Sequence, residues 1–224
     1  MFLYHYMEPQ YVLGTILTNL LKLSTMDSLN DPYEMLPERV YSNGSHAPIC
    51  LVREQMREML KNTGMICMSE AATCPAMWAH YADKHRGVAL EFEFTDAQMT
   101  ALFKVDYLNE RVVIGPNDDT NDKDIRKGIF ERMIKTKATC WGYEEEFRWV
   151  FSLQDKGVLM DDRGLFYRHM PEEWRGVILG VDCELSEGVV RKALDSMGFT
   201  DVAVVRARLS DTCFEIVADH PKVD

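Results

Sequence analysis

No apolar run in the 224 residues approaches the roughly 20 needed to span a bilayer. A membrane-spanning helix is therefore not expected. Long runs of Lys and Arg are missing too. The chain has 25 basic residues against 36 acidic ones, for a net charge of -11. Gripping nucleic acid by its phosphates takes clustered cations, so that class is excluded except for a local basic pocket. Cysteines are few and scattered: Cys50, Cys67, Cys74, Cys140, Cys183 and Cys213 make no C-x-x-C pair and no Cys/His spacing of a zinc site. The opening "MFLYHYMEPQ" has no basic region followed by an apolar core, so it does not read as a secretory signal. The expectation is a soluble cytoplasmic protein with reduced thiols, no disulfide and no zinc. The familiar nucleophile and phosphate signatures are absent, with no G-x-S-x-G, no Walker loop and no H-E-x-x-H. "ILGVDCELSEG" is not a G-x-G-x-x-G turn.

Apolar residues, in contrast, are plentiful. At 46% hydrophobic content the chain can bury a substantial core, and its length suits a single domain over 1–224. "FLYHY" alternates as a strand, with Leu3 and His5 opposite Phe2, Tyr4 and Tyr6. Pro9 opens a helix carried by Val12, Leu13, Ile16, Leu17 and Leu20. "SLNDPYE" is a turn. Residues 50–61 read as an amphipathic helix, "MICMS" as a strand, and 75–85 as a helix opened by Pro75. A strand of alternating Val88, Leu90, Phe92 and Phe94 follows Gly87. "FKVDYL" is another strand, 115–124 a loop, "IRKGIFERMIKTKATC" a helix, and "EEEFRWVFSL" and "VILGVDC" strands. Ser186 caps a helix over 187–197 that ends before Gly198. "VAVVRARL" and "TCFEIVA" close the chain as a hairpin. Strands and helices mix without strict alternation, which predicts an α+β fold with a curved or split, mostly antiparallel sheet and flanking helices.

Two stretches concentrate polar side chains. In "YEEEFRWVF", strand parity puts Phe147, Trp149 and Phe151 on one face and Glu144, Glu146 and Arg148 on the other, about 7 Å apart. That row is either a pocket wall with a catalytic glutamate or a solvated face in which Arg148 balances two acids. In "MWAHYADKHRGV", Trp78 and Tyr81 are either core or ligand platform. His80, Asp83 and His85 suggest a metal only weakly, because His85 falls off the face shared by the other two.

"LNDPYE", "CMSE", "MWAHYADKHRGVALEF" and "CWGYEEEFRWV", in this order and spacing, resemble a bacterial family, domain-of-unknown-function family 2971, over roughly residues 2–185. More distantly the layout is similar to the ADP-ribosyltransferase superfold, in its histidine–tyrosine–glutamate branch. That resemblance implies an ADP-ribosyltransferase-like split sheet and NAD as substrate, without a metal. His5 and Tyr81 would hold NAD, with Trp78 or His80 able to take the place of Tyr81. Glu146 would act on the ribose, Glu144 would help position an acceptor, and Arg86 or Arg148 would hold pyrophosphate. The implied activity is ADP-ribosyl transfer or NAD hydrolysis, of the sort found in phage-defence and toxin systems, with the acceptor either protein or nucleic acid. Two alternatives stay open: a non-enzymatic nucleotide- or protein-binding regulatory domain, and a metal-dependent nuclease or hydrolase.

Overall fold

Leu3, Val88, Leu90 and Phe92 are wholly shielded from solvent, and the two strands that carry them lie side by side. The structure, a computed structural model, describes residues 1–218; residues 219–224 of the expected domain lie outside the described residues. The main sheet is built from β1 (Phe2–Met7), β2 (Thr63–Ser69), β3 (Val88–Glu93), β4 (Phe103–Lys104), β5 (Glu146–Ser152), β6 (Trp174–Leu179), β7 (Ala203–Leu209) and β8 (Ile216–Ala218). Their spatial order is β8-β7-β6-β3-β1-β2-β5-β4. Every neighbouring pair is antiparallel except β6 and β7, which run parallel. The fold is α+β with an open, mostly antiparallel sheet. In β3 the alternation does not divide core from solvent, because Ala89 and Glu91 are buried as well. A strand covered on both faces shows no exposed side.

Helices cover both faces. α1 (Pro9–Thr18) has Pro at its first turn and buries Val12 and Ile16, one turn apart. It packs beside α5 (Glu187–Ser196) over the face that carries Leu3, Leu90 and Phe92. Ser186 caps α5 by accepting from the Val189 amide, and Gly198 follows its end in the left-handed region. α2 (Ile49–Leu60) and α4 (Lys123–Lys135) share an apolar cluster through Val52, Met56, Ile129 and Met133. α3 (Pro75–Tyr81) turns Met77 and Trp78 inward against Tyr6 and Ala89. Among the described residues no helix is long and apolar enough to cross a membrane.

Two features shape the site. β1 pairs with β3 at six positions, from Phe2↔Glu93 to Met7↔Val88, but meets β2 only at Tyr4↔Ser69. β2 is instead held along its length by β5, from Glu146↔Ser69 to Ser152↔Thr63. The sheet therefore opens between β1 and β2. The second feature is the turn after α3, which ends four residues earlier than the predicted 75–85 helix. Asp83, Lys84 and His85 all have positive φ (44°, 55° and 68°). Gly87 then passes so close to β1 that a Cβ there would lie 2.2 Å from the Met7 carbonyl oxygen.

Beyond the shortened α3, the structure corrects the sequence reading in three further places. The helix expected to run to Cys140 stops at Lys135, and Thr136–Ala138 is extended, paired in parallel with Asp106–Leu108. "FKVDYL" divides into β4 and that Asp106–Leu108 strand. β5 begins at Glu146, because Thr139–Glu144 forms a short tight helix closed by Glu145 in the left-handed region (φ 45°).

Candidate functional site

A cavity of about 310 Å³ lies where β1 and β2 part. Tyr4, His5 and Tyr6 of β1 and Cys67, Met68 and Ser69 of β2 form part of its wall. The loop that precedes α2 adds Asn30 and Glu34, and α3 adds Met77, His80 and Tyr81. Lys137, Glu144 and Glu146 close it from the remaining side. Each of the four segments that carry the family resemblance contributes to this wall. The His5 ring reaches across the opening, with Nδ1 2.9 Å from the Cys67 carbonyl oxygen. Since a carbonyl can only accept, Nδ1 carries the proton and Nε2 keeps its lone pair. Burial lowers the pKa of His5, so the ring is neutral.

Glu34, Lys137, Glu144 and Glu146 of this wall form a buried ionic cluster with Arg148, which lies behind them. Arg148, with no exposed surface, grips Glu146 with a two-pronged contact: Nε to Oε1 and Nη2 to Oε2, each 2.9 Å. Its Nη1 donates to the Ile134 carbonyl at 2.8 Å, and Nη2 also meets Glu34 Oε1. Lys137 Nζ lies 2.6 Å from Glu144 Oε2, 3.2 Å from Glu146 Oε2 and 3.8 Å from Glu34 Oε2. Tyr81 donates its hydroxyl proton to Glu144 Oε1 and accepts from Asn30 Nδ2 at 2.7 Å. The Glu146 amide points to the Tyr107 hydroxyl at 2.8 Å.

Environment separates the three carboxyls. Burial would raise Glu146, but the charge and hydrogen bonds of Arg148, helped by Lys137, bring it down to about 2. For Glu34, burial is the largest influence. Arg148 and Lys137 oppose it only in part, and the charges of Glu146 and Glu144 add to it, so its pKa rises to about 7. Glu144 is also raised, chiefly by burial, against the pull of Lys137 and Tyr81. Burial would lower Lys137, yet the three carboxylates outweigh it and keep the ammonium charged. One oxygen in the cluster, Glu34 Oε2, is buried without a hydrogen-bond partner.

The structure therefore brings His5, His80, Tyr81, Glu144 and Glu146 to one cavity. Trp78, Arg86 and Arg148, three of the residues expected to hold NAD, are not on its wall. Trp78 is 1% exposed and packs edge-on against Tyr6 at 5.2 Å, its indole nitrogen donating to the Ala72 carbonyl. Arg86 lies on the outside, paired with Asp83 at 2.7 Å. Arg148 is wholly buried, and its guanidinium is taken up by Glu34, Glu146 and Ile134, which corrects its expected role against pyrophosphate. The sequence reading missed Glu34, Lys137 and Asn30. Glu34 and Asn30 sit in "LNDPYE", which carried the resemblance, and Lys137 was hidden in the overlong helix. All six cysteines are free thiols. Among the described residues no group of three or more His, Cys, Asp or Glu is placed to hold a metal ion.

Comparison with known proteins adds one finding. Residues 77–149 match the family described as "protein of unknown function (DUF2971)". The match supports the family resemblance, and its span carries His80, Tyr81, Lys137, Glu144, Glu146 and Arg148. No curated protein and no solved structure matches the chain.

The opposed shifts give stability a definite pH dependence. The depressed Glu146 contributes stability that is present above the ordinary carboxyl value of 4.5 and is lost as pH falls through about 2. The raised Glu34 contributes stability present below 4.5 and lost as pH rises through about 7. Between about pH 5 and 8 the wild type should therefore lose melting temperature relative to Glu34→Gln. Parallel melting curves for the two proteins over that range would contradict the assignment.

Proposed function

We propose that the protein acts on NAD at the bond between ribose and nicotinamide, as an ADP-ribosyltransferase-like enzyme or an NAD glycohydrolase. One observation carries this reading. His5 on the first strand, Tyr81 near the middle of the chain and Glu144 and Glu146 late in it line the same cavity, where the sheet opens. Those residue types suit the chemistry. As the bond breaks, its electron pair goes to the pyridinium nitrogen, nicotinamide leaves neutral and the ribose becomes cation-like. A preorganised carboxylate favours that charge more than it favours the ground state.

On this reading the two carboxylates take different roles. Glu146 is fixed and ionised, but Arg148, Lys137 and the Cys67 thiol already occupy its oxygens. Glu144 has one bond on each oxygen, from Tyr81 and from Lys137, and retains acceptor capacity for a ribose hydroxyl. Its raised pKa also suits taking the proton of the attacking water or acceptor. His5 Nε2 can accept from a second hydroxyl, and the Tyr81 ring offers a flat face to nicotinamide. The cavity is at the small end of the usual range of about 300–1,000 Å³, enough for one half of the dinucleotide.

The test is nicotinamide release from NAD, alone and with protein and nucleic-acid acceptors. Release above the blank is expected. A lack of release with every acceptor would overturn the reading in favour of a non-enzymatic nucleotide-binding domain. The saturated hydrogen bonds of Glu146 and Arg148 suit that alternative, which predicts thermal protection by NAD without turnover.

A further inference from the structure

The buried cluster is unbalanced. Among the described residues, Glu34, Glu144 and Glu146 are met by the cations Lys137 and Arg148 alone, so full ionisation leaves three negative charges against two positive, one in excess. An uncompensated charge shut away from water is costly. It can be removed by a proton on the cluster or by a cation beside it. The cavity next to the cluster is walled in part by Tyr4, Tyr6 and Tyr81, and tyrosine rings attract cations. Glu34 lines that cavity, is 4% exposed, and holds the cluster oxygen that, among the described residues, has no hydrogen-bond partner and only the distant Lys137 at 3.8 Å.

We propose that the cavity is a site for a flat, singly charged cation, and that the cation enters as Glu34 gives up its proton. The pyridinium end of NAD is such a group, and in naming it the inference rests on the functional reading above. The neighbours of Glu34 leave it as the proton donor. From β5 it faces Arg148, which stays charged, and Glu146, already ionised. The extended segment after α4 presents Lys137, which its three acidic neighbours keep charged. The turn before β5 presents Glu144, held by Lys137 and Tyr81, and β2 presents Cys67, whose thiol burial keeps protonated. On its own loop, Asp31 is engaged by the Tyr33 amide. Farther along the wall, His5 is already neutral and the Tyr81 hydroxyl is held to Glu144.

Calorimetric titration of the wild-type protein with the N-methyl cation of nicotinamide, in buffers of low and high ionisation heat, tests this. About half a proton should be released per ligand near pH 7, and affinity should fall about tenfold between about pH 8 and 6. Uncharged nicotinamide should bind more weakly than the cation. In Glu34→Gln, proton release should vanish and affinity should be flat, near the wild-type value at low pH. The wild-type titration is decisive by itself, so the test survives a variant that fails to fold. Cation binding without proton release, equal binding of uncharged nicotinamide, or no cation binding would each overturn the proposal. A protein that binds the cation with proton release but cleaves no NAD keeps this inference and loses the enzymatic reading. NAD cleavage without proton linkage does the reverse.

Discussion

Arg148→Ala is expected to cost about 3–5 kcal/mol of folding stability, or to leave the chain unfolded, because it strands buried charge. One guanidinium with no exposed surface serves Glu146 through two bonds, Glu34 through a third and the Ile134 carbonyl through a fourth. Removing it leaves Lys137 as the only cation, among the described residues, for three buried carboxylates and empties a large space in a packed interior. The carboxylates would then take up protons, so the loss should be greatest at high pH and smaller at acid pH. Urea unfolding of wild type and variant at about pH 5 and 8 measures both effects. A combined Arg148→Met, Glu146→Gln, Glu34→Gln protein should recover most of the loss, since replacing a whole buried ion network is often close to neutral. A loss below about 1 kcal/mol in the single variant would mean that water reaches the cluster and the burial argument is wrong.

Such a cluster is hard to read from sequence, and the reasons differ residue by residue. β3, α2 and α5 were legible because one periodicity or one cap dominates each: alternation at Val88–Phe92, helical spacing in 50–61, Ser186 and Gly198 at the two ends of α5. Lys137 was not legible. The pattern of α4 runs on through "KTKATC", and what ends the helix is the pairing of Thr136–Ala138 with Asp106–Leu108, a contact local preferences do not report. Glu144 and Glu146 were placed on one side by strand parity, yet Glu144 is not in the strand. The left-handed Glu145 turns the chain so that both neighbours still reach Lys137 while Glu145 stays exposed. The same parity gave Arg148 a role at the cleft. Its partner Glu34 lies 114 positions away, and only the folded chain shows that the arginine is sealed behind the wall. Of the two readings left open for this row, the solvated face does not hold, since Glu144, Glu146 and Arg148 are all buried.

The bonds that Arg148 and Lys137 already make to Glu146 change which substitution is informative about the reaction. Glu144→Gln is expected to cut nicotinamide release about a hundred- to a thousandfold, the usual effect of losing one preorganised electrostatic contact. Glutamine keeps the outline of the side chain, and its remaining oxygen can accept from Lys137 while its amide nitrogen donates to the Tyr81 hydroxyl oxygen. It removes the charge offered to the cation-like ribose and the basic oxygen that takes the acceptor's proton. The fold should tolerate the change, because Lys137 retains Glu146 at 3.2 Å and Glu34 at 3.8 Å. Glu146→Gln should also lower release, but with a drop in melting temperature, because Arg148 loses its two-pronged partner. Rates at saturating NAD, with melting temperatures alongside, separate the two cases. A slow Glu144→Gln protein with wild-type melting marks Glu144 as the group that meets the substrate. Wild-type turnover in Glu144→Gln would remove it from the reaction. If Glu146→Gln is then the slow variant with an unchanged melting temperature, the roles given to the two carboxylates must be exchanged.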